Sequence, residues 1–139
     1  MCLYLNVIVA RGIVADTYDG RKCGKLKGWY QNMRKIVYYL AGPMRGEEDL
    51  GRAHFNAVEA KLHTHENVEV INPAVLPTTW PNRAYMPVCL AMLNQADVVV
   101  MLKGWEDSQG AQVEREYAVM CEKLIINEED IKERKRAEE

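Results

Sequence analysis

Apolar and polar positions along this chain repeat with two different periods, and the segments they mark follow one another in turn. Ile36 to Ala41 is a short apolar run stopped by Gly42-Pro43, which predicts a buried strand. From about Glu48 to His65 the apolar residues Leu50, Phe55, Val58 and Leu62 recur at helical spacing, leaving Glu59, Lys61 and Glu66 for solvent. Val68 to Ile71 reads as a second strand ended by Asn72-Pro73. Ala74 to Asn82, with Pro77, Trp80 and Pro81, reads as a loop over the sheet edge or a site mouth. Tyr85 to Gln95 has the composition of a buried helix, in which Pro87 is tolerable only in the first turn. Asp97 to Lys103 carries Val98-Val99-Val100, the mark of a strand covered on both faces. A loop, Gly104 to Gln109, leads to a helix from Gly110 with Val113, Tyr117, Met120 and Cys121 at helical spacing and Ser108 or Asp107 to cap it. Leu124 to Ile126 makes a fourth strand, and Asn127 to Glu139 reads as a mixed-charge helix or frayed tail with a solvated face.

Strands alternating with helices through short connections imply parallel pairing and right-handed crossovers. The expected fold is therefore α/β: a doubly wound three-layer sandwich with a mainly parallel sheet of four to five strands. The loops after the first and third strands would face each other across a topological switch point, where open α/β sheets build their sites. Upstream, Cys2 to Ala10 could form a strand, while Arg11 to Asn32 is rich in Gly and charge without a clean period. The expected division is an appendage over 1–32, the α/β domain over 33–127 and a charged tail over 128–139, with Met33 a candidate start.

Composition narrows the function classes. At 139 residues the chain is one domain's worth, enough to bury roughly two thirds of its unfolded surface without disulfide or metal. A net charge of −2 gives no general attraction for a nucleic-acid polymer or an anionic membrane. Cys2, Cys23, Cys89 and Cys121 are scattered without a CxxC pair, which fits reduced thiols in a cytoplasm. His63 and His65 lack a nearby Cys or acidic partner set, so no metal is expected, and nothing in the pattern asks for a cofactor. No apolar run is long enough to span a bilayer, and the opening residues lack the layout of a signal peptide.

The candidate chemistry lies in the two facing loops. Glu114 falls in the opening turns of its helix with Gly110 and Ala111 four and three positions before it. Its carboxylate would lean over those small residues with nothing bulky in the way, and the nearby helix N-terminus would favour its charged form. The bland alternative is an ordinary solvated glutamate. The first loop supplies Tyr39 at the strand end, Gly42 and Gly46 for tight turns, and Arg45 as a planar cation for phosphate or carboxylate. Tyr39 reads equally as a half-buried strand tyrosine, and Arg45 as a solvated loop cation.

Together, Tyr39-Leu40-Ala41-Gly42-Pro43-Met44 and the run from Gly104-Trp105 through Ser108, Gly110-Ala111 and Glu114 to Ala118 resemble the nucleoside 2-deoxyribosyltransferase-like superfamily, which includes 2′-deoxynucleoside 5′-monophosphate N-glycosidases. The resemblance covers Lys35 to about Ile126 and is closest to an uncharacterised bacterial and phage branch. It implies Glu114 as the nucleophile on the anomeric carbon and Tyr39 as the tyrosine beside it. It implies a substrate site from Gly42, Pro43, Met44, Arg45, Gly46, Trp105, Ser108, Gly110 and Ala111, with Arg45, Ser108 and the helix N-terminus on a phosphate. The implied partner is a small-molecule nucleoside or nucleotide. The implied assembly is a homo-oligomer, for which the Met86, Met92 and Trp80 region could supply contact area.

One departure bears on activity. Catalytic members of the superfamily carry an aspartate eight positions before the residue matching Asp97, and Cys89 stands there. Losing a general acid costs about 10² to 10⁴ in rate, which leaves a slow enzyme, another donor, or binding alone. Cys89 itself reads as a small buried residue. Asp97 lies at the wrong end of its strand to replace the acid, whereas Glu106 and Asp107 are closer. The competing classes are thus an N-glycosidase or deoxyribosyl transferase, a nucleotide-binding or sequestering module without turnover, and an interaction protein whose Trp80 and Trp105 loops form the partner surface.

Overall fold

The computed structural model describes residues 35–132, so the readings for residues 1–32, the candidate start at Met33 and the last part of the charged tail lie outside the described residues. Four strands, β1 (Ile36–Ala41), β2 (Val68–Ile71), β3 (Val98–Met101) and β4 (Leu124–Asn127), form one sheet in the order β2-β1-β3-β4. Every pairing is parallel, with Tyr39 opposite both Ile71 and Val99 and Met101 opposite both Ala41 and Asn127. Three helices complete the layers: α1 (Arg52–Leu62), α2 (Asn82–Asn94) and α3 (Gln109–Met120). The expected doubly wound sandwich is present, with four strands.

Strand alternation assigns the two cores. Tyr38 and Leu40 of β1, with Val98 and Val100 of β3, pack against Phe55, Val58 and Leu62 of α1. The residues between them, Tyr39, Ala41, Val99 and Met101, pack on the other face with Cys89 and Leu93 of α2 and Ala111 and Ala118 of α3. The chain moves from β1 outward to β2, then crosses back past β1 to β3 and on to β4. With crossovers of one hand, reversing the direction of travel moves the connecting helices to the opposite face, which separates α1 from α2 and α3.

Several boundaries depart from expectation, and each has a local cause. α1 begins at Arg52 rather than Glu48, because Asp49, Leu50 and Gly51 hold positive φ angles of 47°, 57° and 68°. A side chain at Gly51 would put its Cβ 2.9 Å from the Pro43 carbonyl oxygen, so the close approach of the β1 loop sets the helix start. Leu50 consequently leaves the apolar face of α1. α2 begins earlier than expected, at Asn82, which carries Pro87 into its second turn. Pro87 has no N–H for the Arg83 carbonyl, and the preceding loop is tied down instead by Tyr85, which donates to the Pro77 carbonyl at 2.6 Å and meets the Trp80 ring at 5.8 Å. β3 is shorter than Asp97 to Lys103: Asp97 accepts the Val37 N–H through Oδ2 at 3.0 Å, at the amino edge of the sheet. Residues 128–132 are not a solvated helix. They form a 3-10 turn, Glu128–Asp130, and then bury Ile131 in the α1-side core, with the Lys132 carbonyl 2.6 Å from His65 Nε2.

Gly42 lies where the chain leaves β1 beside the end of β3. An added Cβ would sit 2.7 Å from Leu102 Cβ, a buried atom close to the backbone with no room to retreat. Gly42→Ala is therefore expected to destabilise the fold by about 1 to 3 kcal/mol, read as a lower urea midpoint at unchanged m-value.

Candidate functional site

The loops after β1 and β3 border an open cleft of about 860 Å³ over the carboxyl ends of the strands. One wall is the turn from Gly42 to Arg45; the facing wall takes Lys103, Gly104, Asp107 and Ser108 and continues into the first turns of α3. α2 contributes Met86 and Cys89, and α1 contributes His54 from the opposite side of the sheet.

Ser108 is the N-cap of α3, its Oγ accepting the Ala111 N–H at 3.3 Å. Capping sets the phase of the helix and so brings Gly110, Ala111 and Glu114 to the cleft wall together. Glu114 is only 5% exposed, which rules out the ordinary solvated glutamate. Beneath it, the fully buried Tyr39 donates its hydroxyl to Glu114 Oε1 at 2.7 Å, joining residues 75 positions apart. Cys89, also buried, lies beside both groups.

Burial governs the protonation of this cluster. It pushes the Glu114 carboxyl up from 4.5 to about 7, against the opposing pull of the Tyr39 hydrogen bond. The helix N-terminus is expected to favour the charged form, but the net shift is toward the neutral acid because burial outweighs what favours the charge. Glu114 lies in the second turn of α3, beyond the free N–H groups, where the helix field has faded while desolvation has not. Tyr39 is raised well above its usual range, first by burial and then by the Glu114 charge. Cys89 rises to about 11 by the same two causes, so it is a neutral thiol at physiological pH rather than a nucleophile.

Of the residues expected to form a site, Gly42, Pro43, Met44, Arg45, Ser108, Gly110, Ala111 and Glu114 line the cleft. Tyr39 lies under Glu114 and reaches a ligand only through it. Gly46 does not line the cleft; it is the exposed apex of its turn at φ 84°, with open space around it. Trp105 is also elsewhere. The 3-10 turn Trp105–Asp107 packs its indole against the α3-side core, where the Arg115 guanidinium sits 5.4 Å from the ring centroid. Sequence reading missed Leu50, His54, Tyr85, Met86 and Lys103 at the cleft. His54 left no sequence signal, because its carboxylate partner, Glu128 at 2.8 Å, lies 74 residues away.

Residues 36–127 match the family model described as Domain of unknown function (DUF4406), and the chain belongs to that family. The match starts at β1 and ends with β4, so it takes in both loops of the cleft. No curated protein matches this sequence. Among the described residues, no helix is long and apolar enough to cross a membrane.

The raised Glu114 carboxyl makes stability depend on pH. With a folded pKa of about 7 above the ordinary 4.5, the folded state binds the proton more tightly than the unfolded chain. That contribution is fully present below about pH 4.5 and is lost as pH rises through about 7. Glu114→Gln keeps an acceptor for Tyr39 but cannot ionise. In urea titrations it should match wild type near about pH 4.5 and exceed it by on the order of 3 kcal/mol at about pH 8.5.

Proposed function

We propose that this chain is a member of the nucleoside 2-deoxyribosyltransferase-like superfamily and cleaves the N-glycosidic bond of a nucleoside or nucleoside 5′-monophosphate. The observation that carries the reading is the buried Tyr39–Glu114 pair at 2.7 Å beneath a cleft walled by the two loops that bear the resemblance. A Glu114 oxygen attacks the anomeric carbon as the bond to the base breaks, giving a glycosyl ester that water hydrolyses or a second base resolves. The oxocarbenium-like transition state develops positive charge beside the carboxylate, in a site whose burial strengthens that attraction. Tyr39 holds one carboxylate oxygen and leaves the other for attack. Arg45 and the capped N-terminus of α3 at Ser108 face the same cleft and suit a 5′-phosphate.

A second reading, a nucleotide-binding module without turnover, is favoured by one observation. The position where the resemblance implies an aspartate holds the neutral thiol of Cys89, beside Glu114. A panel of nucleosides and 5′-monophosphates, followed by chromatography for free base, separates the two readings. Base release should rise with pH through about 7 as Glu114 ionises. Glu114→Gln and Glu114→Ala should abolish release and keep ligand affinity within about 1.4 kcal/mol. If wild type, Cys89→Asp and Glu114→Ala all bind nucleotide yet release no base, the binding-module reading replaces the enzymatic one.

The same site is proposed to work in a homodimer or larger assembly. The contact area expected from Met86, Met92 and Trp80 is partly spent within the chain: Met86 lines the cleft and Met92 packs against the core. α3 offers a better surface, with Val113, Val119 and Met120 exposed by 47%, 51% and 71% and Val113 also on the cleft wall. Light scattering at micromolar concentration should report at least a dimer, and Met120→Glu should shift it toward monomer; a wild-type monomer throughout would refute the assembly.

A further inference from the structure

The nucleophile is on one side of the cleft, and a departing base needs its proton from the other. In a retaining displacement the carboxylate approaches one face of the sugar while the base leaves from the opposite face, where the acid must stand. Tyr39 and Cys89 both lie on the Glu114 side, and burial keeps both protons tightly held. α1 packs on the opposite face of the sheet from α3 and brings His54 into the same cleft. Of the three histidines, His63 faces Glu59 at 3.5 Å and His65 meets the Lys132 carbonyl, so His54 is the imidazole on the cleft.

His54 is also oriented. Its Nε2 lies 2.8 Å from Glu128 Oε2, and that same oxygen accepts the Lys103 N–H at 2.8 Å, two residues past the end of β3. With Oε2 the acceptor for both, Nε2 carries the proton and Nδ1 is the nitrogen left for a ligand. This is the arrangement of a catalytic base held by a third group that is itself tied to the backbone.

We infer that His54 is the general acid and base of the reaction proposed above, oriented by Glu128, and that it takes the place of the missing carboxylic acid at Cys89. The inference rests on the glycosidase reading. In the first step the Glu114 oxygen bonds to the anomeric carbon, the carbon–nitrogen bond breaks toward the base, and Nδ1–H of the imidazolium gives its proton to the departing base. In the second step water attacks the same carbon from the vacated face and Nδ1 takes its proton. The ester bond breaks, and the Glu114 carboxylate is regenerated with the imidazolium restored.

Leaving-group dependence tests this. His54→Gln places an amide N–H where Nε2 stood, preserving the bond to Glu128 and the docking of residues 128–132 while removing the acid. Release of ordinary bases should fall by about 100-fold or more, whereas bases that leave without a proton, N7-methylguanine or 5-nitrouracil, should fall by less than about fivefold. Glu128→Gln should show the same selectivity more weakly, with both variants matching wild type in circular dichroism and thermal midpoint. Equal losses on both kinds of base, no loss on either, or the same selectivity from Asp107→Asn instead would overturn the assignment of His54. Wild type that releases no base from any substrate would overturn the glycosidase reading and this inference with it; active wild type with an indifferent His54→Gln would overturn this inference alone.

Discussion

A single hydrogen bond, from the Tyr39 hydroxyl to Glu114, ties the central strand to the helix that faces it and occupies the floor of the cleft. Both partners are buried. A carboxyl taken out of water without a partner would cost several kcal/mol or stay protonated, so this bond is what lets Glu114 remain ionisable near neutral pH. The tyrosine pulls the carboxyl down while burial pushes it up, and burial wins to place it near 7. Glu114 can therefore exist in either state under ordinary conditions, as a carboxylate or as a neutral acid that leaves the fold more stable.

The sheet makes that bond possible. β1 carries two adjacent tyrosines, and the pleat sends them to opposite cores: Tyr38 toward α1 and Tyr39 toward α3. Because β1 and β3 are neighbours in register, with Ala41 opposite Met101, their loops leave the sheet side by side and define the two walls. The order β2-β1-β3-β4 also delivers helices from both faces to one edge, so groups from α1 and α3 enter the cleft from opposite sides.

Local preference is overridden at several places, two of them beside this cleft. Asp49 and Leu50 hold left-handed backbone angles that side chains with a Cβ adopt at a cost of about 1 to 2 kcal/mol each. Pro87 interrupts the hydrogen bonding of α2 one turn after that helix begins. The former brings Leu50 and Gly51 to the cleft wall beside Pro43. Strain of this kind persists only where packing over-determines it, here by the close approach of two loops.

Periodicity and turn residues alone determined the element order, β1 and β2 to the residue, and the parallel, doubly wound arrangement, because a buried apolar run and a helical stripe are local patterns. The same reading put Glu114 on one helix face with Gly110 and Ala111, and all three line the cleft, since spacing along a helix is a local property. What it could not determine was anything set by distant partners. The raised pKa of Glu114 follows from burial under α2 and β1, the packing of Trp105 from Arg115 and the core, and the docking of Ile131 from a space between α1 and the sheet. His54 entered the cleft only through the crossover that put α1 there and through Glu128, 74 residues on. These are tertiary decisions, because desolvation and long-range hydrogen bonds are properties of the assembled neighbours rather than of any stretch of chain.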